Sequence, residues 1–328
     1  MSVENGLWVF AQAVEGKLLP VSLELLGEGR RLADRLDVGL SAILIGHNLQ
    51  PLALELIACG ADNVLVADHA KLYHYRGELY IPLVEKMILR YRPEIFLFGA
   101  TQGGKDLAAA TAARIGAGLT AHCVAFEIDE HKVLKQLVPA FGGHCVFRSQ
   151  GNPQMATVAP GVFTIPEPDY ERQGKIIEID FSPPAEPATK IVEFKTEKGS
   201  AGGLEEAEVI VAGGAGVGNA ENWQLIEKLA HALNAAVGAT RPPVDEGWVE
   251  EEKMIGQSGR NVRPKLYLAV GISGDQLHLS GVQNPELFIA INKDPKANIF
   301  KHAHFGVVED LTKILPPLIE LLSPGGDN

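Results

Sequence analysis

The sequence predicts an α/β protein built from two doubly wound domains. Three observations carry that prediction. Short apolar runs alternate with helix-period segments through the first half of the chain. A proline-rich interruption breaks the pattern after Phe181, and the same alternation then resumes on a smaller scale. A length of 328 residues accommodates about two domains, and a hydrophobic fraction of 46% is ample for two cores.

In chain order, strands are expected over 7–11, 42–45, 63–67 and 94–98. Between them the segments 21–36, 52–59, 81–91 and 105–115 carry apolar residues three and four apart and read as helices. Such alternation implies a mostly parallel sheet with helices on both faces. Residues 119–129 read as one strand, 133–138 as another, Ala140-Phe141-Gly142-Gly143 as a turn, and 154–158 as a further strand. Ser182-Pro183-Pro184-Ala185-Glu186-Pro187 suits neither helix nor sheet. A single extended strand is expected over 190–195 and a loop over 197–203. The domain boundary is therefore placed at residues 195/196, giving an N-terminal domain of 1–195 and a C-terminal domain of 196–328. In the latter, strands are expected at 209–212, 266–270 and 287–291, a helix at 222–234, and a last helix from about Val308 to before Ser323.

Composition narrows the function. A net charge of −12 argues against nucleic-acid binding, which needs a basic face. No apolar run of about 18 residues predicts a membrane span. Cys59, Cys123 and Cys145 match no zinc spacing and read as free thiols. The opening MSVENGLWVF resembles neither a secretory nor an organellar leader, so a cytoplasmic location is expected. No metal site and no acid–base pair for direct catalysis stand out.

The chemistry-bearing residues gather in the C-terminal third. Gly213-Gly214-Ala215-Gly216-Val217-Gly218 follows a strand and precedes a helix, where amides can meet a phosphate or simply turn the chain. It lacks the dinucleotide fingerprint spacing. Thr240-Arg241 follows the small-residue run 235–239, and two prolines stiffen the exit, so Arg241 becomes a fixed cation at a strand end. Gly256-Gln257-Ser258-Gly259 and Gly271-Ile272-Ser273-Gly274 each set hydrogen-bonding groups beside bare backbone. His278 falls in the first turn of a short helix, Asn292 closes a strand, and Asp310 stands at a helix start. Taken singly, each has a structural explanation. Those from Thr240 to Asp310, gathered within about 70 residues at strand ends and helix starts, favour a cofactor site.

These residues carry a family resemblance. Gly238-Ala239-Thr240-Arg241, Gly256-Gln257-Ser258-Gly259, Ala269-Val270-Gly271-Ile272-Ser273-Gly274, His278, Ala290-Ile291-Asn292-Lys293-Asp294-Pro295 and Asp310-Leu311 resemble the FAD-binding domain of the electron transfer flavoprotein α subunit, the family that includes FixB. Gly104-Lys105-Asp106-Leu107, Gly118-Leu119-Thr120-Ala121 and Pro139-Ala140-Phe141-Gly142-Gly143 extend the resemblance into the first half. It implies a Rossmann-like C-terminal FAD domain, a heterodimer with a β subunit, and an electron carrier rather than an enzyme with its own substrate. Electrons would come from an acyl-CoA dehydrogenase-type flavoprotein and pass to a quinone reductase or similar acceptor.

The resemblance also implies roles. Arg241 would lie near flavin N5 and raise the one-electron potential. Ser258 and Gln257 would meet the ring, and His278 its N1–C2=O edge. The turn of Ser273, Gly274, Asp275, Gln276, Leu277 and His278, with Asn292, would hold the diphosphate and ribityl chain, and Asp310 and Leu311 the adenosine. Thr240, Ile255, Gly256, Gly271 and Ile272 complete the expected cofactor-binding set.

The chain departs from the family at Ala215, where Arg is usual, at Ser258, where Thr is common, at Met254 for Gln, and at Asp275-Gln276-Leu277 for Ala-Ile-Gln. An alternative is the α subunit of an electron-bifurcating, NADH-using relative with a second FAD in the β subunit. The runs Val21-Ser22-Leu23-Glu24-Leu25-Leu26-Gly27 and Gly46-His47-Asn48 resemble that branch. A rival from another class is a nucleotide-binding sensory protein of the same fold, in which Arg241 and His278 would be freely replaceable.

Overall fold

A computed structural model describes residues 3–131, 133–140, 143–183, 189, 191–192, 203–204, 207–282 and 285–322. The chain divides into two compact units, Met1–Lys195 and Thr196–Asn328. The expected turn at 140–143, strand at 190–195 and loop at 197–203, and most of the proline-rich stretch, fall largely outside the described residues.

The N-terminal unit runs β1 (Leu7–Ala11), a small hairpin β2 (Ala13–Val14) and β3 (Lys17–Leu18), α1 (Pro20–Leu36), β4 (Leu40–Gly46), α2 (Gln50–Ala58), β5 (Asn63–Asp68), α3 (Gly77–Tyr91), β6 (Ile95–Gly99) and α4 (Gln102–Ile115). It continues through β7 (Leu119–Cys123), β8 (Ala125–Ile128), β9 (Leu134–Ala140), β10 (Gly143–Phe147), β11 (Gln154–Val158) and β12 (Lys175–Glu178). Seven strands form one parallel sheet in the order β12-β5-β4-β1-β6-β11-β7. The central strands are buried on both faces because alternate residues serve different helix layers. Leu7, Val9 and Ala11 join the core under α1 and α2, whereas Trp8 and Phe10 join the core under α3 and α4. Strands β10, β9 and β8 form a separate antiparallel sheet.

The single strand expected over 119–129 is in fact two, β7 and β8, in different sheets. His122 takes the left-handed conformation at φ 57°, and the β7–β11 register shifts between Ala156 and Val158. That irregularity turns the chain out of the large sheet. The fourth helix begins at Gln102 rather than near Lys105, because the Thr101 hydroxyl accepts the Gly104 N–H at 3.0 Å and caps a first turn that contains two glycines.

The C-terminal unit contains β13 (Val209–Gly213), α5 (Ala220–Ala232), β14 (Ala236–Ala239), α6 (Arg241–Asp245), β15 (Leu266–Val270), α7 (Gln276–Leu279), β16 (Leu287–Ile291), β17 (Phe305–Val307) and α8 (Leu311–Leu322). Its five strands are all parallel, in the order β14-β13-β15-β16-β17. The winding direction reverses between β13 and β15, which makes that gap the switch point. One face is covered by α5 and α8 over Val211, Leu268 and Val270. Among the described residues the other carries no long helix. Ile210, Tyr267 and Ala269 are roofed by irregular chain through Ile255, Val262, Ile272 and Ile299. The last helix starts at Leu311, three residues later than expected, because the exposed 305–307 segment is the edge strand β17.

Candidate cofactor site

The roof of that second face leaves a cavity of about 760 Å³ at the carboxyl ends of β13, β14, β15 and β16. This size suits a cofactor, and the carboxyl ends beside a switch point are where open α/β sheets bind ligands.

The walls hang from four strand ends. After β13, Ala215 and Gly216 line the cavity. The glycine run here serves backbone packing first. Gly214 N–H donates to the Val270 carbonyl and Gly216 N–H to the Gly271 carbonyl, both at 2.9 Å. A Cβ on Gly216 would stand 2.7 Å from that same carbonyl oxygen. The loop thus ties β13 to β15 across the switch point.

After β14, Thr240 and Arg241 enter the site. The Thr240 amide donates to the Gly213 carbonyl at 3.0 Å, and the two prolines form the first turn of α6. The Arg241 side chain is about 70% exposed, its Nε 3.3 Å from the Asp245 carboxylate. The next wall is Met254, Ile255 and the turn Gly256-Gln257-Ser258-Gly259, closed by the Gly259 N–H on the Gly256 carbonyl. Gln257 N–H reaches the Leu277 carbonyl at 2.7 Å, so this turn is fastened to α7.

After β15 come Gly271, Ile272, Ser273 and Asp275, followed by Leu277 and His278. The amides of Ser273 and Asp275 find no acceptor among the described residues. The Asp275 carboxylate accepts the Leu277 N–H at 2.8 Å and so caps α7. Buried His278 has Nδ1 3.0 Å from the Ile255 carbonyl oxygen and Nε2 2.9 Å from the Tyr267 hydroxyl. Burial pushes its pKa down to about 4, against weaker upward pulls from the Ile255 carbonyl and Asp275.

After β16, Asn292 lines the cavity while its amide donates to the Ile272 carbonyl at 2.8 Å. Asp310 and Leu311 line a separate recess of about 20 Å³ that shares Gly216, Gly271 and Asn292 with the main cavity's wall. Hydrogen bonds from the Thr312 hydroxyl and amide hold the Asp310 carboxyl below the usual range.

Thirteen of the seventeen residues expected from sequence line the main cavity: Thr240, Arg241, Ile255, Gly256, Gln257, Ser258, Gly271, Ile272, Ser273, Asp275, Leu277, His278 and Asn292. Gly274 and Gln276 do not. Gly274, at φ 86°, lets Ile299 N come within 2.2 Å of where a Cβ would be, so its service is to the roof. Sequence reasoning missed Asp294, Lys296 and Asn298 as lining residues, although the polar run closing β16 was the signal that could have found them.

The two runs that resemble the bifurcating branch have internal partners in the N-terminal unit. Ser22 Oγ accepts the Gln12 N–H at 2.8 Å, and Glu24 accepts from Gly161 and Phe163. Asp68 gathers His47 Nδ1 and the Asn48 and Leu49 amides. Among the described residues there is no group of three or more His, Cys, Asp or Glu that could hold a metal, and no helix is long and apolar enough to cross a membrane.

Comparison with known families finds an electron transfer flavoprotein domain over residues 7–184 and an electron transfer flavoprotein FAD-binding domain over residues 203–283. The chain is 44% identical to the electron transfer flavoprotein subunit alpha of Thermoanaerobacterium thermosaccharolyticum, covering 98% of both chains. It is 41% identical to the same-named protein of Clostridium acetobutylicum over 96% of each. It is also 41% identical to protein FixB of Azorhizobium caulinodans, over 96% of this chain and 87% of that one.

Proposed function

Because this chain belongs to the electron transfer flavoprotein family as an α subunit, we propose that the cavity across the β13/β15 switch point is where its FAD sits and that the residues lining it tune electron transfer. The observation that carries the reading is the convergence of four strand ends on one cavity, three of them within the residues matched to the FAD-binding domain.

The residues present fit the group. The cavity is about 760 Å³, and the amides of Ser273 and Asp275, which find no acceptor among the described residues, are suited to a diphosphate. Among the described residues the Arg241 guanidinium pairs with Asp245 alone, which leaves most of its surface for an anionic ring edge. Asp275, an acid where the family more often has Ala, spends one carboxylate oxygen on capping α7.

Bound FAD supplies one-electron chemistry; the chain's own work is to hold it and set its electrostatics. In this reading Arg241 and Ser258 serve the N5 side of the ring, Gln257 lies alongside it, and Ser273 and Asn292 hold the diphosphate and ribityl chain. Asp310 and Leu311 serve the adenosine. The α chain works with a β subunit. Its donor would be an acyl-CoA dehydrogenase-type flavoprotein, its acceptor a quinone reductase or similar protein, and its location the cytoplasm.

Native co-purification with the β chain tests this reading. A flavin absorbance spectrum is expected, and a colourless complex that takes up no added FAD overturns it. One FAD per αβ pair supports simple carriage, and two support the bifurcating alternative.

A further inference from the structure

Tyr267 lies on β15, fully buried behind the cavity wall, and does not line the cavity. Its ring packs edge-on against Phe288, with centroids 5.1 Å apart at 85°. Its hydroxyl stands 2.9 Å from His278 Nε2, eleven positions away in the chain.

The chemistry of the neighbours dictates which way the protons point. The Ile255 carbonyl oxygen can only accept, so His278 Nδ1, 3.0 Å away, carries the hydrogen. Nε2 is then bare and accepts from the Tyr267 O–H. Both ring nitrogens are committed, and the imidazole has no N–H left for a ligand in the cavity. What it does have is a mechanical connection. Ile255 leads directly into the 256–259 turn, and the neighbouring Leu277 carbonyl holds Gln257 N–H at 2.7 Å. Two adjacent residues of α7 therefore fasten the turn that carries Gln257 and Ser258. One of these ties depends on how the His278 ring is held.

We propose that Tyr267 is a positioning residue of the cofactor site: through His278 it aims the 256–259 turn at the flavin. The proposal rests on the reading that the cavity holds FAD. It assigns His278 to placement rather than to charge, because both ring nitrogens are bonded within the protein.

The test uses the full αβ complex labelled with 15N-histidine, wild type and Tyr267→Phe, each with and without FAD, with His278→Gln to assign the resonances. In the FAD-free wild type, Nδ1 is protonated and Nε2 is a hydrogen-bonded acceptor. In Tyr267→Phe the Nε2 resonance moves to that of an unbonded ring nitrogen, and the FAD dissociation constant rises about tenfold. Placing p-aminophenylalanine at 267, whose amine also donates, restores both readouts, which a loss of packing would not allow. An unmoved Nε2 resonance, or a Tyr267→Phe affinity within twofold of wild type, overturns the proposal. If the wild-type complex itself takes up no FAD, the cofactor reading falls. Wild-type binding with an unaltered variant refutes only the role of Tyr267.

Discussion

Arg241 and His278 line one cavity but differ in charge and exposure. The Arg241 guanidinium is exposed and cationic, with its Nε 3.3 Å from the Asp245 carboxylate. Substituting Arg241→Gln is expected to lower the potential of the first one-electron step by on the order of tens of millivolts, a figure discounted for solvent screening. Reductive titration against a reference dye measures it, and an unchanged potential removes Arg241 from the tuning set. His278 is buried and neutral, with its pKa depressed to about 4. The unfolded chain binds this proton near pH 6.5 and the folded chain does not, so folded stability is fully present above pH 6.5 and is lost as pH falls toward 4. The loss is up to roughly 3 kcal/mol. Urea unfolding of the FAD-free C-terminal unit at pH 7 and pH 5 should show this decline, and His278→Gln should flatten it.

At the scale of elements, the loop after β13 is a fastening before it is a cradle. A Cβ on Gly214 would lie 2.5 Å from the Gly271 carbonyl oxygen, a backbone atom that cannot swing aside. Gly214→Ala is therefore expected to cost about 1–3 kcal/mol. It should also weaken FAD binding, because the β13 and β15 loops must separate; thermal unfolding and equilibrium dialysis report the two effects. The sequence signal and the structural use differ here, and the reason is general. A glycine run announces close approach without saying whether the neighbour is a ligand or the chain itself. Buried strands such as Leu7–Ala11 and Leu266–Val270 were legible because continuous apolar runs have few other uses. Edge strand Phe305–Val307 was not, since it is only three exposed residues paired on one side. The break at His122 left no apolar signal, and the Tyr267–His278 bond joins residues that no local pattern connects. Lys296 escaped notice because it reaches the cavity from an irregular loop.

The whole chain divides into two units of unequal duty. If the cofactor site lies wholly within Thr196–Asn328, FAD at 100 times its dissociation constant stabilises that unit by about 2.7 kcal/mol. Calorimetry of the complex should then show one transition shifted upward by FAD and another left in place; equal shifts of both would mean that the site draws on more than the C-terminal unit. The five strands described in this unit are parallel, so the cavity walls arrive by several separate crossovers and the site is gathered from residues distant in the chain. A nascent chain emerging from the ribosome has made Arg241 and the 256–259 turn long before Asn292 and Lys296 exist. If the cavity holds the FAD, the ribosome must pass Lys296 before the protein can colour, and a product truncated ahead of Asn292 stays pale however well its first strands have formed.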